Sequence, residues 1–155
     1  MRVWRISKAN RVRDLTGYGA SIDGGRWNQQ DVCAVYAGLS PAICCLETFV
    51  HQTHMPLIPM KIVCLELPDD PSLYLEPPVA GLPAGWNALP ADRASMDFGT
   101  AWLRAGNQLG LIVPSAVMTL EKNIVINPTH RDMSLVRIVD EQDFRYDDRM
   151  FSVRA

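Results

Sequence analysis

Lysine is scarce in this 155-residue chain: Lys8, Lys61 and Lys122 are the only ones, and the remaining cations are arginine. Lys and Arg total 15 against 17 Asp and Glu, a net charge of -2. Such a balance gives no global basic field, so direct nucleic-acid binding is not expected. A local anion pocket built from arginine stays open. Histidine is limited to His51, His54 and His130, with no HExxH pattern and no matched carboxylate cluster, so no metal site is expected. The four cysteines, Cys33, Cys44, Cys45 and Cys64, form neither a CxxC pair nor a zinc spacing, and read as buried reduced thiols. Neither a Walker loop nor GxGxxG occurs, so conventional nucleotide-fold binding is not supported. The N-terminal "MRVWRISKANRVRD" is basic and broken, without the apolar core of a signal peptide. No apolar run reaches the roughly 18 residues of a membrane helix. A cytoplasmic protein is expected, with no membrane partner.

What is present suits one domain over residues 1–155 with a sizeable core: hydrophobic residues make up 48% and charged residues 21%. "RVWRI" (2–6) alternates as a half-buried strand does, and "VCAVYAG" (32–38) reads as a second strand ended by Gly38. "SPAICCLETFVHQTH" (40–54) opens with Ser40 as N-cap and Pro41 at the first helical position, and Pro56 closes it. "MKIVCLELP" (60–68) is apolar on both faces and predicts a central strand. Six prolines between 68 and 91 make that segment mostly loop, a lid or a docking surface. A helix is predicted over 95–106, capped by Ser95, with Phe98, Trp102 and Ala105 on its apolar stripe. Strands follow at 110–118, interrupted by Pro114, at 123–128 and at 134–140. This order predicts an α+β fold: mixed or antiparallel sheet with flanking helices.

"DGGRWNQQ" (23–30) concentrates unusual chemistry in one turn. Gly24 and Gly25 permit positive φ and close approach, Arg26 carries a planar donor fork, and Trp27 adds a flat apolar face. A ligand grip and a plain β-turn with a surface Arg and a core Trp both fit this stretch. Glu47 falls at the edge of the helix stripe made by Ile43, Leu46 and Val50, with His51 one turn on as a partner. That position suits either a functional carboxylate or a structural ion pair. Ser115 follows Pro114 in a broken apolar strand, as an exposed hydroxyl or a small core residue; no GxSxG elbow surrounds it. Tyr36 near a strand end either stacks on a ligand ring or packs.

In order along the chain, "WRI" (4–6), "GGRWN" (24–28), "VYAG" (35–38), "SPAICCLETFVH" (40–51), "VPSAV" (113–117) and "NIVINPTH" (123–130) resemble the RES domain family. Its members are commonly toxins of Xre–RES toxin–antitoxin pairs. The resemblance runs from Trp4 to about Phe144; the main departure is the cysteine pair in "AICCLE". It implies a compact α+β fold similar to the ADP-ribosyltransferase toxins, with NAD⁺ as substrate and no metal. It further implies that Arg26, Glu47 and Ser115 are catalytic, and that Arg26, Tyr36 and Ser115 bind NAD⁺, with Asn28 and Asn127 as further pocket residues. Arg26 would grip the pyrophosphate, Tyr36 stack on a ring, Ser115 bond a ribose, and Glu47 stabilise the oxocarbenium formed as nicotinamide leaves. ADP-ribose would then pass to a protein acceptor, or to water or phosphate. A growth-inhibiting activity of this kind implies a neutralising helix-turn-helix (Xre-like) antitoxin. The alternative is a non-catalytic nucleotide- or anion-binding module; a ribonuclease is disfavoured by the charge.

Overall fold

A computed structural model describes residues 1–152, so the last three residues of the 1–155 expectation lie outside the described part. Seven strands form one sheet: β1 (Arg2–Lys8), β2 (Val35–Gly38), β3 (Met60–Glu66), β4 (Tyr74–Leu75), β5 (Gly110–Pro114), β6 (Lys122–Ile126) and β7 (Arg137–Phe144). They lie in the order β4-β5-β6-β2-β1-β3-β7, all antiparallel except the short β4–β5 pair. Among the described residues three α-helices accompany them: α1 (Tyr18–Asp23), α2 (Pro41–Phe49) and α3 (Arg93–Ala105). The α+β expectation holds; β3 is an interior strand, paired with β1 and with the edge strand β7, one place from the edge of the sheet rather than at its centre.

Period-2 alternation divides the core and fixes which face carries the site. On β6, Ile124 and Ile126 enter one cluster with Val3, Val35, Val63 and Leu65. Val125 between them enters a second cluster with Trp27, Trp86, Trp102, Leu111 and Val113. Tyr36 lies opposite Val125 in the β2–β6 register, and its ring packs against this second cluster. Asn123, two residues before Val125, therefore shares that face. A one-residue slip would send both polar side chains into the other cluster.

Helix α2 starts as its sequence dictates: the Ser40 hydroxyl accepts from the Ile43 N–H, and Pro41 follows at the first position. It ends at Phe49 with Val50 as cap, short of the predicted residue 54. Helix α3 is capped by Asp92 rather than Ser95, which is buried and bonds back to the Asp92 carbonyl. Its buried face is Ser95, Gly99, Thr100, Trp102 and Leu103, while Ala105 is exposed. The reason is a close approach: a Cβ on Gly99 would lie 2.0 Å from the Trp27 carbonyl oxygen. α3 thus presses its small residues against the "GGRWN" loop.

Other boundaries shift by a few residues. β2 begins at Val35, and β7 begins at Arg137 after a 3-10 turn over Arg131–Leu135. β5 stops at Pro114, on the stretch whose outer edge β4 leaves unpaired, as the proline requires. α1 and β4 were not predicted. α1 has six residues and a Gly17 N-cap without a side-chain bond, and β4 has two residues; neither is long enough to show a period.

Candidate active site

Glu47 reaches from α2 to the end of β5 and the start of β6. Its Oε1 accepts from the Ser115 hydroxyl at 2.6 Å and from Asn123 Nδ2 at 2.6 Å. Both donors are neutral, so the expected His51 pairing is replaced: His51 is exposed and makes no side-chain bond to Glu47. Oε2 has no hydrogen-bond partner among the described residues and is not an orphaned buried atom, so it opens on solvent space. A carboxylate oriented through one oxygen and free at the other is arranged to act on a ligand.

Ser115 itself is fully buried, and its oxygen also accepts from the backbone N–H groups of Val117 (3.0 Å) and Met118 (2.9 Å). With one donor and two acceptor positions used, the hydroxyl has nothing left for a ligand. Ser115 positions Glu47; it does not reach the cavity. Pro114 ends the strand, the Ser115 turn follows, and the hydroxyl is thereby turned towards α2.

The cavity over this face has a volume of about 580 Å³, and its wall includes Arg26, Trp27, Tyr36, Glu47 and Asn123. That volume is within the range of small-molecule and cofactor sites. The "GGRWN" loop supplies one side. Only Gly24 of the glycine pair has positive φ, at 76°. Gly25 is required for space: a Cβ there would lie 2.7 Å from the Tyr36 hydroxyl and 2.8 Å from Asn28 Oδ1. The Tyr36 hydroxyl accepts from the Trp27 N–H at 3.0 Å and donates to Asn28 Oδ1 at 2.6 Å. Burial pushes the Tyr36 phenol well above its ordinary pKa, opposed by the Trp27 N–H and the Arg26 charge, so it stays neutral.

Arg26 Nη1 donates to the carbonyls of Trp86 and Ala88, both at 2.9 Å. No carboxylate among the described residues lies within 4 Å of the guanidinium, and its other nitrogens make no bond. Trp27 stacks on Trp86 with centroids 6.2 Å apart and planes at 19°. These two contacts hold the proline-rich segment so that Leu89, Pro90 and Ala91 form part of the cavity wall.

The structure therefore brings Arg26, Tyr36 and Glu47 together around one cavity, with Ser115 behind Glu47. Asn28 is completely buried and spends its amide on the carbonyls of Ala20, Gln29 and Val32, so it shapes the loop. Asn127 lies beyond the other end of β6; its amide donates to the Leu103 carbonyl and its oxygen receives Thr129. Neither asparagine is in the cavity wall. Asn123 is, and sequence reasoning missed it. The readable signal was a polar residue on the alternation of "NIVI", facing the same way as Val125. Among the described residues no helix is long and apolar enough to cross a membrane, and no cluster of three His, Cys, Asp or Glu is placed to hold a metal.

Residues 2–147 match the RES domain, and the chain belongs to that family. It is 40% identical over 152 residues to "Prs ADP-ribosylating toxin" of Sphingobium sp. (strain YBL2), covering 95% of this chain and 94% of that protein. It is 36% identical to "Toxin Res" of Yersinia enterocolitica, covering 87% of this chain and 89% of the relative. The fold is similar to a chain in the crystal structure of the M. tuberculosis MbcT-MbcA toxin-antitoxin complex, with TM-score 0.75 and 20% identity over 93% of this chain and 84% of that one.

Proposed function

We propose that this protein is the toxin of a toxin–antitoxin pair and an NAD⁺-consuming enzyme that breaks the nicotinamide–ribose bond. The observation that carries the reading is Glu47, held through Oε1 by Ser115 and Asn123, with Oε2 free beside a cavity that also contains Arg26. Breaking an N-glycosidic bond builds positive charge on the ribose, and a fixed carboxylate stabilises it without reorganising. Arg26 has no acid partner among the described residues, so its free nitrogens suit the pyrophosphate; its bonds to the Trp86 and Ala88 carbonyls aim them. The Tyr36 ring supplies apolar surface for stacking, backed by the buried Trp27. The name of the Sphingobium relative favours transfer of ADP-ribose to a protein acceptor; water and phosphate are the other acceptors this chemistry allows. The partner is a neutralising antitoxin of helix-turn-helix type, with residues 89–91 of the cavity wall as part of its docking surface.

Incubating the purified chain with NAD⁺ and measuring free nicotinamide tests the reading. Release that depends on Glu47 supports it. NAD⁺ binding without release would make the protein a binding module. Mass spectrometry of labelled proteins then separates transfer from hydrolysis.

A further inference from the structure

The "DGGRWNQQ" turn opens on an acid that the chemistry described so far does not use. Asp23 is the last residue of α1, and Gly24, at φ 76°, turns the chain into the bridge between Gly25 and Asn28. Asp23 and Arg26 thus enter the wall of the large cavity from the two sides of one fixed turn. The Asp23 carboxylate is exposed and makes neither a hydrogen bond nor an ion pair among the described residues. The charges of that wall are few. Among the described residues Arg26 is its one Lys or Arg, and Asp23 and Glu47 are its carboxylates. A second, smaller cavity of about 220 Å³ shares Tyr36, Glu47, His51 and Asn123 with the large one. Those four mark one end of the large cavity. Asp23, Arg26, Leu89 and Met96 line the large cavity alone and form the part away from that end.

On the NAD⁺ reading, on which this inference rests, Glu47 faces the ribose that loses nicotinamide and Arg26 faces the pyrophosphate. The adenosine ribose then falls on the far side of Arg26 from Glu47, in the part that Asp23 lines. An ionised carboxylate only accepts hydrogen bonds, so it suits the free hydroxyls of an unmodified ribose; acids serve that purpose in dinucleotide sites of other folds. A 2′-phosphate would bring about two further negative charges near neutral pH. This wall has no second cation to meet them, and the pyrophosphate already takes Arg26. We propose that Asp23 is the specificity-determining residue that admits NAD⁺ and rejects NADP⁺. It accepts from the hydroxyls of the adenosine ribose and repels a phosphate placed there.

The test compares kcat/KM for nicotinamide release from NAD⁺ and from NADP⁺, together with calorimetry of both dinucleotides on the Glu47→Gln chain. The wild type should favour NAD⁺ about ten- to a hundredfold, the worth of a hydrogen bond to a charged group. Asp23→Asn should cut that preference about tenfold, and Asp23→Arg should bring the ratio to about one or invert it. The change should lie in KM, and high salt should shrink the wild-type preference because Asp23 is exposed. Equal use of both dinucleotides by the wild type overturns the inference and leaves the NAD⁺ reading standing. A folded Asp23→Asn or Asp23→Arg chain that keeps the wild-type ratio does the same, since a merely structural change moves both substrates alike. Binding of neither dinucleotide, with no release from either, overturns the NAD⁺ reading and this inference with it.

Discussion

Ser115 donates its hydroxyl hydrogen to Glu47 Oε1 over 2.6 Å, joining residues 68 positions apart in the chain. The same oxygen receives two backbone N–H groups, so one small side chain closes a turn and orients the carboxylate. This makes Ser115 a positioning residue, a role different from the ribose contact that the family resemblance implies.

Ser115→Ala should therefore lower kcat while leaving the KM for NAD⁺ near its wild-type value. It also leaves the Val117 and Met118 amides without an acceptor, at about 1–3 kcal/mol of stability measured by denaturant unfolding. Asn123→Ala removes the other donor, without that backbone penalty, and should slow nicotinamide release about ten- to a hundredfold. A raised KM at unchanged kcat in either variant would mean direct substrate contact instead.

Glu47→Gln should fold normally, because an amide oxygen accepts from Ser115 and Asn123 as the carboxylate does. What it lacks is the charge. The expected loss is about a hundred- to a thousandfold in nicotinamide release, matching the removal of a transition-state electrostatic partner. Wild-type turnover by a well-folded Glu47→Gln chain would make Glu47 structural.

Arg26→Lys keeps the charge but loses the fork that serves both the Trp86 and Ala88 carbonyls. Faster amide exchange over residues 82–91 is expected together with weaker NAD⁺ binding in calorimetry. If exchange accelerates with affinity unchanged, Arg26 serves the loop alone.

Gly25→Ala places a methyl against the Tyr36 hydroxyl and the Asn28 amide oxygen. Neither can yield freely, since each is bonded to the other. A loss of about 1–3 kcal/mol is expected in unfolding experiments, with the cavity distorted. Gly19→Ala, where no atom lies within 4 Å of the new Cβ, is the control and should be near neutral.

Acid should destabilise the fold modestly. Asp147 is held down to about 2 by Arg149, and Glu141 is lowered by bonds from Lys61 and Arg13. A carboxylate lowered in the folded state contributes stability above its unfolded pKa and loses it as the pH falls through the folded value. Thermal melts should thus decline between about pH 5 and about pH 2, and less steeply in high salt, because these groups are exposed. A flat profile would show that these pairs add nothing.

Local physical chemistry made much of this protein legible from its residues alone. Ser40-Pro41 starts α2, period-2 alternation marks the long strands, and Pro114 ends β5, because caps, periods and prolines act over a few residues. The concentration of Gly24, Gly25, Arg26 and Trp27 in one turn fitted a ligand grip and a plain turn with a core Trp alike, and the structure puts Arg26 in the cavity wall with Trp27 buried. Pairings between distant residues decided the rest. The donors to Glu47 come from Ser115 and Asn123, and strand register between β2, β5 and β6 is what brings them there. Which asparagine faces the cavity followed from the same register: Asn123 shares the face of Val125, while Asn28 and Asn127 are consumed by backbone carbonyls. Gly25 owes its identity to a tyrosine on another strand, and the Arg5 Nε on β1 its lack of a partner to there being no acceptor in reach among the described residues. A single sequence carries no mark of either, because each is a property of the space between chain segments.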